Sequence, residues 1–294
     1  MCKKLFYICV FFISQTLYAI NHNAAFLKLD DQQIFSLRDG LGEADTSVCK
    51  LHLKNYFKSY ALDAKDIAIA PFHWKASQWL FAGGTTLLAG IAFTQDQRIN
   101  QFTLDHKNNI ATAIGDYVGE PWGHGEYAGA IMGSLFLYGT LSHKQKYQYI
   151  AMEGVKTFIL AAVVVSIPKY AFQRVRPFEN NPPDNSIFKG PLGGFVHTSF
   201  PSGHTTEAFA MSTFLALQFK QTKWVAPVVY SLAALTAMQR VYDNRHWTSD
   251  VVVGAALGYG ISKIICNKRN WDVAIIPSFI GKEQQLGFNI SKQF

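Results

Sequence analysis

Six apolar stretches bounded by charged residues dominate the chain: 76–95, 127–142, 157–168, 208–219, 224–239 and 251–262. Together they predict an all-α protein built as a six-helix bundle. Their alanines, glycines and β-branched residues permit close helix packing in protein or in lipid. Only the first stretch reaches the roughly 20 uncharged residues that a bilayer crossing demands. The others, 12 to 16 residues long, favour buried core helices. Long connections at 96–126, 169–203 and 240–250 alternate with short ones near 143–150 and 220–223. In an up-and-down bundle the long connections emerge at one end, which is where a site is to be sought.

Composition leaves the choice between water and lipid open. Among 294 residues, 49% hydrophobic and 14% aromatic content excludes a disordered or collagen-like chain. Charged residues make up 16%, below the roughly 25% of an average soluble domain. A mean hydropathy of +0.06 is nevertheless too low for a chain that is mostly bilayer-spanning helix. The net charge of +7 comes from scattered lysines and arginines, without the stripe or tail of a nucleic-acid binder. Phosphate-bearing small molecules or lipids suit it better as partners.

The termini read differently from the middle. Residues 1–19, MCKKLFYICVFFISQTLYA, have two lysines, an apolar run and Ala19 at a cleavage position, the outline of a secretory signal peptide. Residues 20–75 form a mixed, polar amino-terminal extension with short amphipathic pieces such as Val48–Leu62. The six-helix domain is expected over 76–266. The tail, 267–294, alternates Val273, Ile275 and Pro277 before Gly281, and Leu286, Phe288 and Ile290 after it, which predicts a short β-hairpin. Once a signal is removed, Cys49 and Cys266 remain, neither a disulfide framework nor a zinc spacing.

Three clusters fall in the second and third long connections. Lys169 stands seven residues before Arg176-Pro177; Pro201-Ser202-Gly203-His204 opens the fourth helix; His246 follows Arg240 by six residues and precedes Asp250 by four. A phosphoryl group in transfer spreads negative charge over three oxygens, and catalysis consists largely of holding that charge in place. Lys169, Arg176 and Arg240 supply cations, the arginines able to grip two oxygens each. Ser202 offers a hydroxyl, and Gly203 a backbone amide where unpaired N–H groups at a helix start favour an anion. His246 and Asp250 share one helix face, so the carboxylate can hold one ring nitrogen and leave the other lone pair for attack.

Side by side these clusters resemble the signature of the type 2 phosphatidic acid phosphatase and vanadium haloperoxidase superfamily: K-x6-R-P, P-S-G-H and S-R-x5-H-x3-D. Ten specified positions match in order over roughly Gln78 to Ser262, and Gln239 replaces the leading serine of the third motif. The resemblance implies the same six-helix fold. It also implies that His246 attacks to form a phosphohistidine while His204 protonates the leaving group and later activates water. Lys169, Arg176, Ser202, Gly203 and Arg240 would bind phosphate, with no metal and no other cofactor. A phosphatase acting on phosphomonoesters, lipid phosphates or pyrophosphates is the leading expectation. A vanadate-dependent haloperoxidase, a phosphotransferase and a non-catalytic anion-binding envelope protein are the alternatives. Gln239 is expected to tune activity rather than remove it.

Arg174, His197, Thr205, Glu207, Asp243 and Arg245 are second-rank candidates for substrate contact. In the first long connection Asp96-Gln-Arg98 and Glu120 to Glu126 fit a substrate rim, and the irregular spacing of Glu120, His124 and Glu126 argues against a metal. Lys144, Lys146, Lys220 and Lys223 in the short connections, with Lys268 and Arg269, place those loops in the cytoplasm if the bundle spans a membrane. A cleaved signal followed by six crossings gives the opposite orientation. An exported periplasmic protein, soluble or membrane-associated, resolves that conflict; an integral membrane protein with its site facing the periplasm is the alternative.

Overall fold

A computed structural model describes residues 53–192, 194, 196–267, 274–280 and 285–291. The signal segment, Cys49 and most of the expected extension lie outside the described residues. The described part is mostly helical: α1 (Leu53–Ile69), α2 (Ala76–Asp105), α3 (Asn109–Ile114), α4 (Glu120–Gly123), α5 (Glu126–Leu141), α6 (Gln145–Phe172), α7 (Gly203–Gln218), α8 (Val225–Tyr242) and α9 (Thr248–Asn267). Two strands, β1 (Ala274–Ile280) and β2 (Gln285–Ser291), pair antiparallel with Pro277 opposite Phe288.

Each of the six apolar stretches coincides, to within one residue at an end, with part of α2 or of one of α5–α9, but the helices run past the stretches. Polar side chains that find partners inside the protein extend them, and a hydropathy window cannot see such pairing. Helix α6 begins 12 residues before position 157 and carries the buried Lys156, whose ammonium lies 2.7 Å from Asp63 of α1 and 2.8 Å from Glu153. Helix α2 continues ten residues past 95 into what reads as loop, because Asp96 and Asn100 are buried and bonded to residues of other segments. The result is 28 residues in α6 and 20 in α9, both long and apolar enough to cross a bilayer. Short segments were therefore a poor guide to helix length.

Helix α9 packs along α7 and α2; α7 also packs on α8 and α6, and α6 on α5. Phe81 meets Tyr259 with ring centroids 5.4 Å apart while Asp96 bonds Ser249, so α2 and α9 run antiparallel. One core cluster centres on Trp122, Met132, Met211 and Phe214, a second on Leu160, Ala210, Ile261 and Ile265. One end of this body gathers the carboxy-terminal ends of α6 and α8 and the amino-terminal ends of α7 and α9. The short connections 142–144 and 219–224 lie at the other. Between them the outward faces are apolar, with Leu80 76%, Leu87 66% and Ile167 66% exposed.

Close approach of α7 and α9 depends on glycine. A Cβ on Gly258 would sit 2.1 Å from the carbonyl oxygen of Thr206, and one on Gly254 2.7 Å from that of Ser202. These contacts fix how deep Ser202 and the start of α7 lie against α9. At Gly260, two residues on, a Cβ meets nothing within 4 Å. Gly258→Ala is therefore expected to lower stability by about 1–3 kcal/mol through overpacking, whereas Gly260→Ala is neutral or stabilising by up to about 1 kcal/mol. Thermal unfolding of the two variants in parallel checks this.

Candidate active site

The fold brings the three motifs to one end of the helical body. Lys169 closes the last turn of α6; Arg176 follows it after a left-handed Gln173 with φ of 44° ends the helix. Ser202 to His204 form the start of α7, Arg240 lies in the last turn of α8, and His246 and Asp250 flank the start of α9. The segment 196–200 threads among them. Its Thr198 carbonyl accepts from Lys169 Nζ at 2.5 Å, and its Thr198 hydroxyl from Arg176 Nη2 at 2.9 Å. One short strap thus fixes two cations.

Ser202 occupies the cap position of α7, yet its hydroxyl does not cap the helix. Thr205 donates to it at 2.9 Å, leaving the Ser202 proton for another acceptor. Gly203 lets the lysine pass: an added Cβ would lie 3.3 Å from Lys169 Cε. The backbone amide of Ser202 donates to the Asp250 carbonyl at 3.1 Å, tying the start of α7 to α9.

His246 is held differently from the sequence expectation. Its Nδ1 lies 2.7 Å from the Ser199 carbonyl and 3.8 Å from Asp250 Oδ2. A carbonyl can only accept, so Nδ1 carries the proton and Nε2 the lone pair. Asp250 is instead turned toward Arg174 Nη1 at 2.6 Å, the Ser199 hydroxyl at 2.5 Å and the Trp247 amide at 3.0 Å. It orients His246 through Ser199 and by charge rather than by a direct bond. Burial, ahead of the cations Lys169 and Arg176 and against Asp250, pushes the His246 imidazole down to about 4, which keeps it neutral near pH 7.

His204 faces the same end from the first turn of α7. Its Nε2 is buried without a hydrogen-bond partner among the described residues. Burial first, then Arg240, His124, His246 and Lys169, depress its pKa far below the ordinary histidine range. The ring of His124 lies 4.4 Å from it, centroid to centroid. Glu120, His124 and His204 bring one ligand atom each within 4.8 Å of the others, the spacing of a cation site. Glu120 is already paired with Arg240 Nη2 at 2.9 Å, and burial, ahead of the surrounding cations, disfavours a proton on His204.

Gln239, at the position of the departed serine, is buried and accepts from Arg240 Nε while donating to Asp243. Two glycines make room for it: a Cβ on Gly115 would lie 2.6 Å from Gln239 Cγ, and one on Gly119 3.3 Å from Gln239 Cβ. The longer side chain thus positions the Arg240 guanidinium. Its accommodation rests on residues 120 and 124 positions away, which no local pattern reveals.

Of the second-rank candidates, Thr205 supports Ser202, Asp243 supports Gln239, and His197 pairs with Glu179 at 2.7 Å. Arg245 lies over the Phe178 ring at 5.2 Å. Arg174 does not face the site but is buried, with Nη2 2.8 Å from Asp96 and Nη1 2.6 Å from Asp250. Asp96 accordingly belongs to the support of α9 rather than to a substrate rim: its Oδ1 accepts from the Ser249 amide and its Oδ2, which also meets Arg174, from the Ser249 hydroxyl. Sequence offered only a charged triplet there.

The chain is similar to known proteins. The sequence model of the PAP2 superfamily matches residues 151–273, which contain all three motifs. Residues 151–273 are thus similar to the PAP2 superfamily. Over 110 residues the chain is 36% identical to the lipid A 1-phosphatase of Porphyromonas gingivalis, covering 35% of this chain and 21% of that protein. Over 164 residues it is 29% identical to the undecaprenyl-diphosphatase of Sulfolobus acidocaldarius, covering 56% of this chain and 74% of that one. The chain thus spans about a fifth of the first relative's length. The crystal structure of a transmembrane PAP2 type phosphatidylglycerolphosphate phosphatase from Bacillus subtilis aligns over 73% of this chain and 94% of that one, at 18% identity and a TM-score of 0.47.

Removing Arg174 leaves two buried carboxylates without their counter-charge. Arg174→Met is expected to cost about 3–5 kcal/mol, the scale of a buried pair broken on one side. Asp96→Asn, which keeps the shape and removes a single charge, should cost less. Chemical denaturation of both variants measures the difference.

Proposed function

We propose that this protein hydrolyses phosphate monoesters or pyrophosphates of lipids through a phosphohistidine intermediate, on a six-helix bundle of the acid phosphatase and haloperoxidase type. The observation that carries the proposal is the convergence of Lys169, Arg176, Arg240, Ser202 and the two histidines at one end of the helical body. In this reading the cations, the Ser202 hydroxyl and the Gly203 amide hold the three non-bridging oxygens. His246 Nε2 attacks phosphorus, the bond to the leaving oxygen breaks, and His204 supplies that oxygen's proton. Neutral His204 then takes a proton from water, whose oxygen displaces His246 and frees inorganic phosphate. Arg174, Asp250 and Ser199 act as positioning residues for His246.

Lipid substrates are favoured by the exposed apolar flanks of α2 and α6 and by the two helices long enough to cross a bilayer. A contiguous apolar belt is unusual on a soluble monomer. We read α6 and α9 as membrane-spanning, with the lysine-bearing short connections on the cytoplasmic side and the site at the opposite face. The two relatives whose names specify lipid A and undecaprenyl diphosphate support the same substrate class.

The experiment is release of inorganic phosphate from purified protein given lipid phosphates and lipid pyrophosphates in the presence of a chelator. His246→Ala is expected to abolish turnover while phosphate binding persists, and His204→Ala to lower turnover by about 10²–10⁴. Turnover by His246→Ala equal to that of the unaltered protein would refute the mechanism.

Proton balance provides a second test. With no anion in the cradle His204 is neutral at pH 7, its pKa held down by burial and by cations. A bound phosphate dianion offsets those cations and raises that pKa, so binding takes up a proton. Calorimetry of phosphate binding to His246→Ala in two buffers of different ionisation enthalpy should show net uptake near pH 8, where free phosphate is already the dianion, lost in the additional His204→Ala variant.

A further inference from the structure

An apolar groove of about 940 Å³ runs between α1, α2, α6 and α9 and is lined by none of the motif residues. Ile67, Phe81, Val163, Val164, Ala256 and Leu257 are among the residues that line it. Its walls include both helices read as membrane-spanning, so the groove opens toward lipid. The lining contains no acidic residue and two cationic ones, Lys75 and Lys263.

Those two lysines share one end of the groove. Helices α2 and α9 are antiparallel, with Asp96 against Ser249 and Phe81 against Tyr259, and the same register carries Lys75 toward Lys263. Lys263 lies 13 residues beyond Asp250 on α9, about 20 Å along the helix axis. Its ammonium sits 5.6 Å from the centre of the Tyr259 ring. Lys144, Lys146, Lys220 and Lys223 of the short connections belong to the same end. A long apolar slot closed by a pair of cations, at the basic end of the protein, is complementary to one kind of molecule: a chain-bearing anion.

We propose that this groove binds a phospholipid with an anionic headgroup, an acyl chain lying along α2, α6 and α9 and the phosphate between Lys75 and Lys263. The lipid occupies the leaflet opposite the catalytic cradle and is a bound partner, not the substrate. The site needs no contribution from the catalytic residues, so it stands or falls apart from the proposed hydrolysis.

The test is native mass spectrometry of detergent-purified full-length protein titrated with phosphatidylglycerol or phosphatidylcholine. Phosphatidylglycerol is a diester and presents no terminal phosphoryl group to the cradle. The unaltered protein and His246→Ala should both retain one phosphatidylglycerol, at least tenfold in preference to phosphatidylcholine. Lys75→Glu combined with Lys263→Glu should erase that preference. Gly260→Leu, whose added side chain starts in open space on the groove wall, should block retention of either lipid. Equal retention of the two lipids by the unaltered protein, or an undiminished preference in the lysine double variant, overturns the proposal. If Gly260→Leu fails to fold, the lysine variant, which changes groove-end charges outside the buried core, decides alone.

Discussion

Arg174 has 1% of its surface exposed and its guanidinium sits between carboxylates of two different helices. A buried guanidinium is tolerable only where every donor is met and its charge is balanced. Here Asp96 and Asp250 supply the charge, the Asn185 carbonyl and Ser249 hydroxyl complete the bonding, and Phe93, Phe188 and Trp247 enclose it. The consequences reach through the structure. The pairing carries α2 ten residues beyond its apolar stretch, seats the segment after α6 on the start of α9, and turns Asp250 so that Ser199 rather than the carboxylate meets His246.

Seen from that anchor, the candidate site is a set of cations gathered on a fixed frame. Lys169 and Arg176 are held by neutral oxygens of one strap, and Arg240 by Gln239 and its ion pair with Glu120. Such an arrangement stores electrostatic potential for an incoming dianion while keeping both histidines neutral. In the proposed mechanism the substrate's own charge then enables His204 to become an acid. The basic groove end on the far side of the body applies the same charge logic to a lipid that is bound and not cleaved.

Much of this was legible in the chain. Motif spacing singled out Lys169, Arg176, Ser202, Gly203, Arg240, His204, His246 and Asp250, and alternating long and short connections put them at one end, because local order along a helical hairpin fixes which ends meet. Helix lengths were misjudged because Asp96, Asn100, Glu153 and Lys156 look like solvent markers until their partners are known. Gln239 was recognised as a departure, but the glycines at 115 and 119 that admit it lie too far away in sequence to be connected with it.

The sequence by itself determined the helical class and singled out the motif residues that meet at one end, since apolar periodicity and charge type are properties of short segments. Tertiary structure alone decided which acid serves which base. Asp250 could have held His246 directly from its place four residues on, yet it is drawn to Arg174 and reaches the imidazole through Ser199. Such choices depend on the energy of burying a charge among partners from distant segments, and distance along the chain says nothing about that energy.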